Sequence, residues 1–66
     1  MTPEQEEREG YIVEFITIGL SVKVTAIDPE SLREVSIVGS PNASSEDLAQ
    51  LAVRKLKYVL NRDKSE

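Results

Sequence analysis

The chain has 66 residues, twelve acidic against eight basic side chains, a formal net charge of −4, and neither cysteine nor histidine. At 7.4 kDa it has room for one small domain, and the missing residue types exclude disulfides, thiolate zinc sites and an imidazole base or ligand. At this size the gain from apolar burial and the cost in conformational entropy nearly cancel, so we expect marginal stability and a benefit from self-association.

Residues 1–9 form an acidic segment with four glutamates and no apolar residue after Met1. This composition predicts a disordered acidic N-terminal tail, and the segment lacks the apolar stretch of a signal peptide. The chain also contains no run of about 18 apolar residues, the length that a membrane span requires. We therefore expect a cytoplasmic protein with no membrane association.

Residues 11–27 alternate side chains with the two-residue period of β-strands, which predicts a hairpin with one apolar face. Two registers remain open. A loop at positions 18–19 places Glu14 opposite Lys23, a favourable pair across the strands. A loop at positions 19–20 instead puts a glycine first in a type II′ turn, which suits its positive φ. The same residues share a face in both registers.

A third strand is predicted over residues 34–38, after a turn that begins at Asp28. The Asp28 carboxylate can accept hydrogen bonds from backbone amides two or three residues further on. With the helix described next, residues 10–62 are predicted to form one α+β domain, and residues 63–66 a frayed C-terminus. Its fold is a three-stranded antiparallel β-meander followed by one C-terminal α-helix packed on one face, β-β-β-α.

The helix has the strongest sequence pattern in the chain. Either Ser44 or Ser45 can act as its N-cap, and Glu46 and Asp47 complement the positive end of the helix dipole. Apolar residues between positions 48 and 60 then recur with the helical period, and basic residues follow towards the negative end. The apolar arc covers more than half of the circumference, which is wider than one small sheet needs.

Side chains that could perform catalysis are few. The clustered carboxylates lie within residues 1–9, and Glu14 is expected to pair with Lys23 rather than act as a base. The loop before the helix has no glycine-rich phosphate signature, and Glu46 and Asp47 at the helix start would repel an anion. The sequence therefore predicts that the protein is not an enzyme and binds no cofactor or metal.

Surplus apolar surface is the clearest functional feature of the sequence. One helix covers one face of a sheet, so we expect the other face, and one rim of the helix, to remain exposed. That rim is either Val53 with Leu60 or Leu51 with Tyr58, and an edge strand is also available to a second copy. The pattern predicts a protein-interaction or homo-oligomerisation module, with a homodimer as its leading form. The candidate interface residues are Ile12, Ile16, Ile18, Ile27, Val38, Val53 and Leu60.

Weak nucleic-acid binding through the helix is the alternative prediction. Strands followed by an alanine-rich helix are partly similar to the second half of a double-stranded RNA-binding domain. Positions 44–47, where that domain carries lysines, read Ser-Ser-Glu-Asp, and the acidic net charge also opposes this function. The candidate phosphate contacts are Arg54, Lys55, Lys57 and Arg62.

Residues 11–60 resemble a family of short uncharacterised bacterial proteins, a domain of unknown function found mostly in alphaproteobacteria. The resemblance implies a cytoplasmic bacterial protein and brings no activity, cofactor or catalytic residue. Two turns differ from the family pattern: Gly-Leu at positions 19–20 replaces Gly-Asn, and Ser-Leu at positions 31–32 replaces Thr-Gly. Three segments carry the likeness: residues 22–29 (VKVTAIDP), 34–39 (EVSIVG) and 51–60 (LAVRKLKYVL).

Overall fold

The computed structural model describes the backbone of residues 4–64 and the side chains of residues 4–63. One antiparallel sheet has its strands in chain order, and a single helix packs against one of its faces. This α+β architecture agrees with the predicted class. Its elements are β1 (Glu4–Arg8), β2 (Tyr11–Ile18), β3 (Ser21–Ile27), β4 (Glu34–Gly39) and α1 (Ser45–Lys64).

The sheet has four strands rather than the predicted three, because residues 4–8 form β1. This strand falls in the segment that composition predicted to be a disordered tail; residues 1–3 lie outside the described residues. Glu9 and Gly10 connect β1 to β2 with φ angles of 55° and 86°, as a type I′ hairpin turn requires. An edge strand needs only backbone pairing and no apolar side chain, so composition did not reveal it.

The C-terminal boundary also differs from the expected one. Helix α1 continues through Lys64, two residues beyond the predicted end of the domain at residue 62. The remainder of the segment predicted to fray, residues 65–66, lies outside the described residues.

The loop between β2 and β3 is Gly19-Leu20, since Ile18 pairs with Ser21 across the hairpin. Gly19 has a φ of 59°, which a β-branched residue at that position would adopt only with strain. Of the two registers left open by the sequence, the structure therefore has the glycine-first one. Glu14 consequently lies opposite Thr25, and not opposite Lys23.

The core lies between the sheet and α1. Alanines at the helix surface let its backbone approach the sheet closely, and Leu56 fills the centre with no exposed surface. Tyr11, Phe15 and Leu60 pack around this cluster and are half-buried. The buried apolar residues are Val13, Val24, Ala26, Leu48, Ala49, Ala52, Val53 and Leu56.

The loop between β3 and β4 is organised by Asp28, as its position in the sequence predicted. Asp28 Oδ1 accepts a hydrogen bond from Glu30 N at 3.1 Å, and Oδ2 accepts one from Ser31 Oγ at 2.9 Å. The backbone oxygen of Asp28 accepts from Leu32 N at 2.8 Å, closing the loop. This closure holds Leu32 at a φ of 64°, although its side chain is 75% exposed.

Replacing Leu32 with glycine is expected to stabilise the protein. A left-handed backbone costs a non-glycine residue about 1–2 kcal/mol. The extra freedom of glycine in the unfolded chain lowers the free energy of unfolding by about 0.4–1 kcal/mol and offsets part of this gain. The expected net gain is about 0.5–1 kcal/mol in the free energy of unfolding, measured by urea denaturation. Leu32→Ala removes the same side chain and keeps the strain, so a gain of equal size in that variant would contradict this explanation.

The helix begins with a side-chain cap from Ser44. Its Oγ accepts a hydrogen bond from Asp47 N at 3.2 Å, and its backbone oxygen accepts from Leu48 N at 3.0 Å. Ser45 is the first helical residue, so of the two serines only Ser44 occupies the N-cap position.

Ser44→Ala is therefore expected to lower the free energy of unfolding by about 1 kcal/mol, because Asp47 N loses its acceptor. Ser45→Ala provides the matched control, with an expected change within about 0.5 kcal/mol. Thermal and urea unfolding followed by circular dichroism measure both variants. Equal losses from the two serines would show that the cap is not at Ser44.

Candidate interaction surface

The face of the sheet that α1 does not cover is called the open face below. Because side chains alternate across a strand, its members are the residues between those that contact the helix. The pairing registers place them in rows across all the strands. They are Gln5 and Glu7 from β1; Ile12, Glu14, Ile16 and Ile18 from β2; Ser21, Lys23, Thr25 and Ile27 from β3; and Glu34, Ser36 and Val38 from β4.

The centre of the open face is polar but internally satisfied. Thr25 is only 6% exposed, and its Oγ1 lies 2.8 Å from Ser36 Oγ, so the two hydroxyls share a hydrogen bond. Ile12 and Ile27 are paired on the row beside Thr25 and are half-buried among their neighbours. These two predicted interface residues are therefore less accessible than the other three on this face, Ile16, Ile18 and Val38.

The exposed apolar residues gather at the end of the sheet formed by the β2–β3 turn. Ile16 is 38% exposed, Ile18 57%, Val38 71% and Leu20, in the turn itself, 90%. Ile16 and Val38 lie on either side of Lys23 in one row of the sheet. These four apolar side chains form the hairpin-end patch, three of whose members were predicted as interface residues.

The helix contributes a different rim from the one chosen from the sequence. Val53 is 1% exposed and belongs to the core, so its assignment to an interface is wrong. Leu60 is half-buried and packs against the core cluster. The uncovered rim is the other one, with Leu51 51% and Tyr58 66% exposed. The apolar arc is wide enough to allow either rotation, and packing of Ala49 and Val53 against the sheet decides it.

Most of the candidate phosphate contacts on α1 are engaged within the molecule. Lys57 Nζ pairs with Glu9 in the β1–β2 turn, and the Arg62 guanidinium lies 5.7 Å from the centre of the Tyr58 ring. Arg54 makes no ion pair or hydrogen bond with other described side chains. Nucleic-acid contact by these residues stays a prediction.

Both edges of the sheet carry charges that discourage pairing with another strand. Lys55 Nζ donates a hydrogen bond of 3.1 Å to the backbone oxygen of Ser36 on the edge strand β4. The opposite edge, β1, has the sequence EQEER, and its only partly covered residue is Arg8. Charged side chains on an edge are a common protection against aggregation. The open face differs from these edges in that it also carries exposed apolar side chains.

A solvent-open cleft of about 540 Å³ lies between the β3–β4 loop and the C-terminal half of α1. Lys57, the one cation among the described residues that line it, already pairs with Glu9, and Asp28 organises the β3–β4 loop. Within the described part of the chain, no three carboxylates lie together in a way that could hold a metal ion. The cleft is lined by Tyr11, Asp28, Glu30, Ser31, Lys57, Leu60 and Asn61.

Among the described residues, no helix is both long enough and apolar enough to cross a membrane. A family model described as "Domain of unknown function (DUF6898)" matches residues 8–63, which contain all three segments that carry the sequence resemblance. No curated protein and no solved structure matches the chain.

Proposed function

Since the chain belongs to the DUF6898 family, whose function is unknown, we propose from its surface that it is a non-enzymatic protein-interaction module. The contact surface in this proposal is the open face of the sheet, including the hairpin-end patch. The resemblance of residues 11–60 to short alphaproteobacterial proteins supports a place in the cytoplasm of such a bacterium.

The observation that supports the proposal is the exposure of four apolar side chains around Lys23 at the hairpin end of the sheet. Ile18, Leu20 and Val38 are each more than half exposed, and Ile16, next to Ile18 on the same face of β2, is 38% exposed. Burying one such side chain completely contributes about 1.5–3 kcal/mol, so the partly exposed set would contribute about 4–8 kcal/mol. Association costs about 4–15 kcal/mol in lost freedom of motion. The patch alone would give weak binding, and the rest of the open face must contribute too.

Other surfaces fit a partner less well. On the β4 edge Lys55 already bonds the backbone oxygen of Ser36, and β1 carries three glutamates among its five residues. On the outer side of α1, Leu51 and Tyr58 are separated by the charged Arg54 and do not form a continuous apolar area. On the open face, Ile12 and Ile27 adjoin across neighbouring strands, and Ile16 and Val38 flank Lys23, so more apolar side chains lie together than on α1.

A photo-crosslinking amino acid at position 38, in the full chain and in cells that make the protein naturally, tests this surface. We expect covalent adducts from position 38 and none above background from a matched position, 51, which is also exposed but lies on α1. Ile16→Glu should abolish the adduct while circular dichroism shows an unchanged fold. Adducts from position 51 alone, or from neither position, would overturn the proposal.

A further inference from the structure

Building on the proposed function, we infer that the partner of the open face is a second copy of this chain. The two sheets pack face to face about a two-fold axis that lies between them and runs across the strands. Such a contact is isologous, so each favourable pair of side chains occurs twice.

The charges of the open face are distributed unevenly along the strands. Lys23 lies at the hairpin end, whereas Glu7 and Glu34 lie in one row at the other end, with Glu14 between. None of these four side chains forms an ion pair with the rest of the described chain. The face thus has one basic and one acidic end, both available to a partner.

This asymmetry selects the direction of the two-fold axis. An axis across the strands reverses their direction, so the hairpin end of one copy lies over the acidic end of the other. Lys23 then comes close to Glu14 and Glu34 of the second copy, and electrostatic attraction favours the pair. An axis along the strands would place Glu7 of one copy over Glu34 of the other, with like charges together. A second copy therefore complements the face in one orientation.

The centre of the face can be buried at little cost. The hydroxyl groups of Thr25 and Ser36 already bond to one another at 2.8 Å, so a second sheet above them leaves neither group unpaired. An unpaired buried hydroxyl would cost about 1–3 kcal/mol. The two hydroxyl groups at the middle of the open face are consequently compatible with a contact between two sheets.

The size of the face matches a weak dimer. Strands spaced about 4.8 Å apart and rising about 3.4 Å per residue give the sheet a footprint of about 440 Å². Because side chains project from this area, the accessible surface buried by each copy is larger. The footprints of two copies sum to about 880 Å², and with the projecting side chains the total approaches about 1,200 Å², the lower limit for stable interfaces. We expect a dimer that dissociates in the micromolar range.

Charge reversal tests both the partner and the orientation. Sedimentation velocity from about 10 μM to 1 mM compares the wild-type chain with Lys23→Glu and with the double variant Glu14→Lys, Glu34→Lys. Each variant alone places like charges together, so we expect its dimerisation to weaken at least tenfold. Mixed in equal amounts, the two variants have opposite charges at both contacts and should form a heterodimer. Arg54→Glu, on the outer side of α1, is the matched control and should dimerise like the wild type.

The outcomes separate this inference from the proposed function. A wild-type chain that stays monomeric at 1 mM overturns the second-copy inference, and so does a dimer unaffected by Lys23→Glu. An adduct from position 38 with the mass of a different protein would then still support the open face as an interaction surface. A heterodimer from the mixed variants supports the antiparallel two-fold contact, and its failure to form from folded variants overturns that arrangement.

Discussion

Leu56→Ala is expected to lower the free energy of unfolding by about 3–5 kcal/mol, the largest effect of any single truncation in this core. Leu56 has no exposed surface and lies at the centre of the contact between α1 and the sheet. Its loss removes apolar contacts and leaves a cavity that a rigid sheet can close only in part. A chain of 66 residues has about 3–10 kcal/mol of stability in total, so this single change removes a large part of it.

Leu51→Ala on the same helix is the matched control. It makes the same chemical change at a position that is 51% exposed, and its expected effect is within about 0.5 kcal/mol. Urea denaturation followed by circular dichroism measures both. Similar losses at the two positions would mean that the side of α1 facing the sheet is not the one described.

Gly39→Ala is expected to cost about 1–3 kcal/mol, because the end of β4 has no room for a side chain. A Cβ atom at residue 39 would lie 2.5 Å from Leu48 Cδ2 and 3.2 Å from Cδ1. Leu48 is 6% exposed in the core, so it can move away only by disturbing its neighbours. The loss is expected even though alanine is otherwise no worse than glycine in a strand.

The cause of that loss can be isolated with a double-mutant cycle. Leu48→Ala alone should cost about 2–5 kcal/mol, because it creates a cavity. In the variant that carries both changes, the methyl group at position 39 no longer clashes and fills part of that space. The combined loss should be at least about 1 kcal/mol smaller than the sum of the two single losses. If the two losses of stability are additive, the close contact between residue 39 and Leu48 is not the reason why Gly39→Ala destabilises the protein.

The sequence was sufficient for the elements with a strong local pattern. The alternation over residues 11–27 predicted which side chains share a face, and the structure buries Val13 and Val24 on the predicted core side. The turn at Asp28 was predicted from the hydrogen bonds that an aspartate can accept, and those bonds are present. Such features depend on residues within a few positions of one another, so they can be read from the order of the amino acids.

Prediction failed where the side-chain pattern does not report which backbone segments pair or which side of a helix packs on the sheet. The wide apolar arc of α1 allowed either rim to face the sheet, and the wrong one was chosen at Val53. The prediction of exposed apolar residues was accordingly closer to the structure on the sheet, where period-two alternation leaves two faces, than on the helix. Strand β1 was missed because its glutamates indicate solvent exposure correctly but say nothing about backbone pairing.

The amino-acid sequence by itself determined the β-hairpin, the third predicted strand, the helix with its serine cap region, and the apolar surplus that suggests a partner. Tertiary structure alone decided the pairing of β1 with β2, the Gly19-Leu20 loop, and the exposure of Leu51 and Tyr58 in place of Val53. The physical reason lies in what the side-chain pattern can report. Periodicity and capping leave a pattern in the sequence, whereas the pairing of a polar edge strand, the choice between two hairpin registers with the same faces, and the rotation of the helix depend on backbone hydrogen bonds and core packing that leave none.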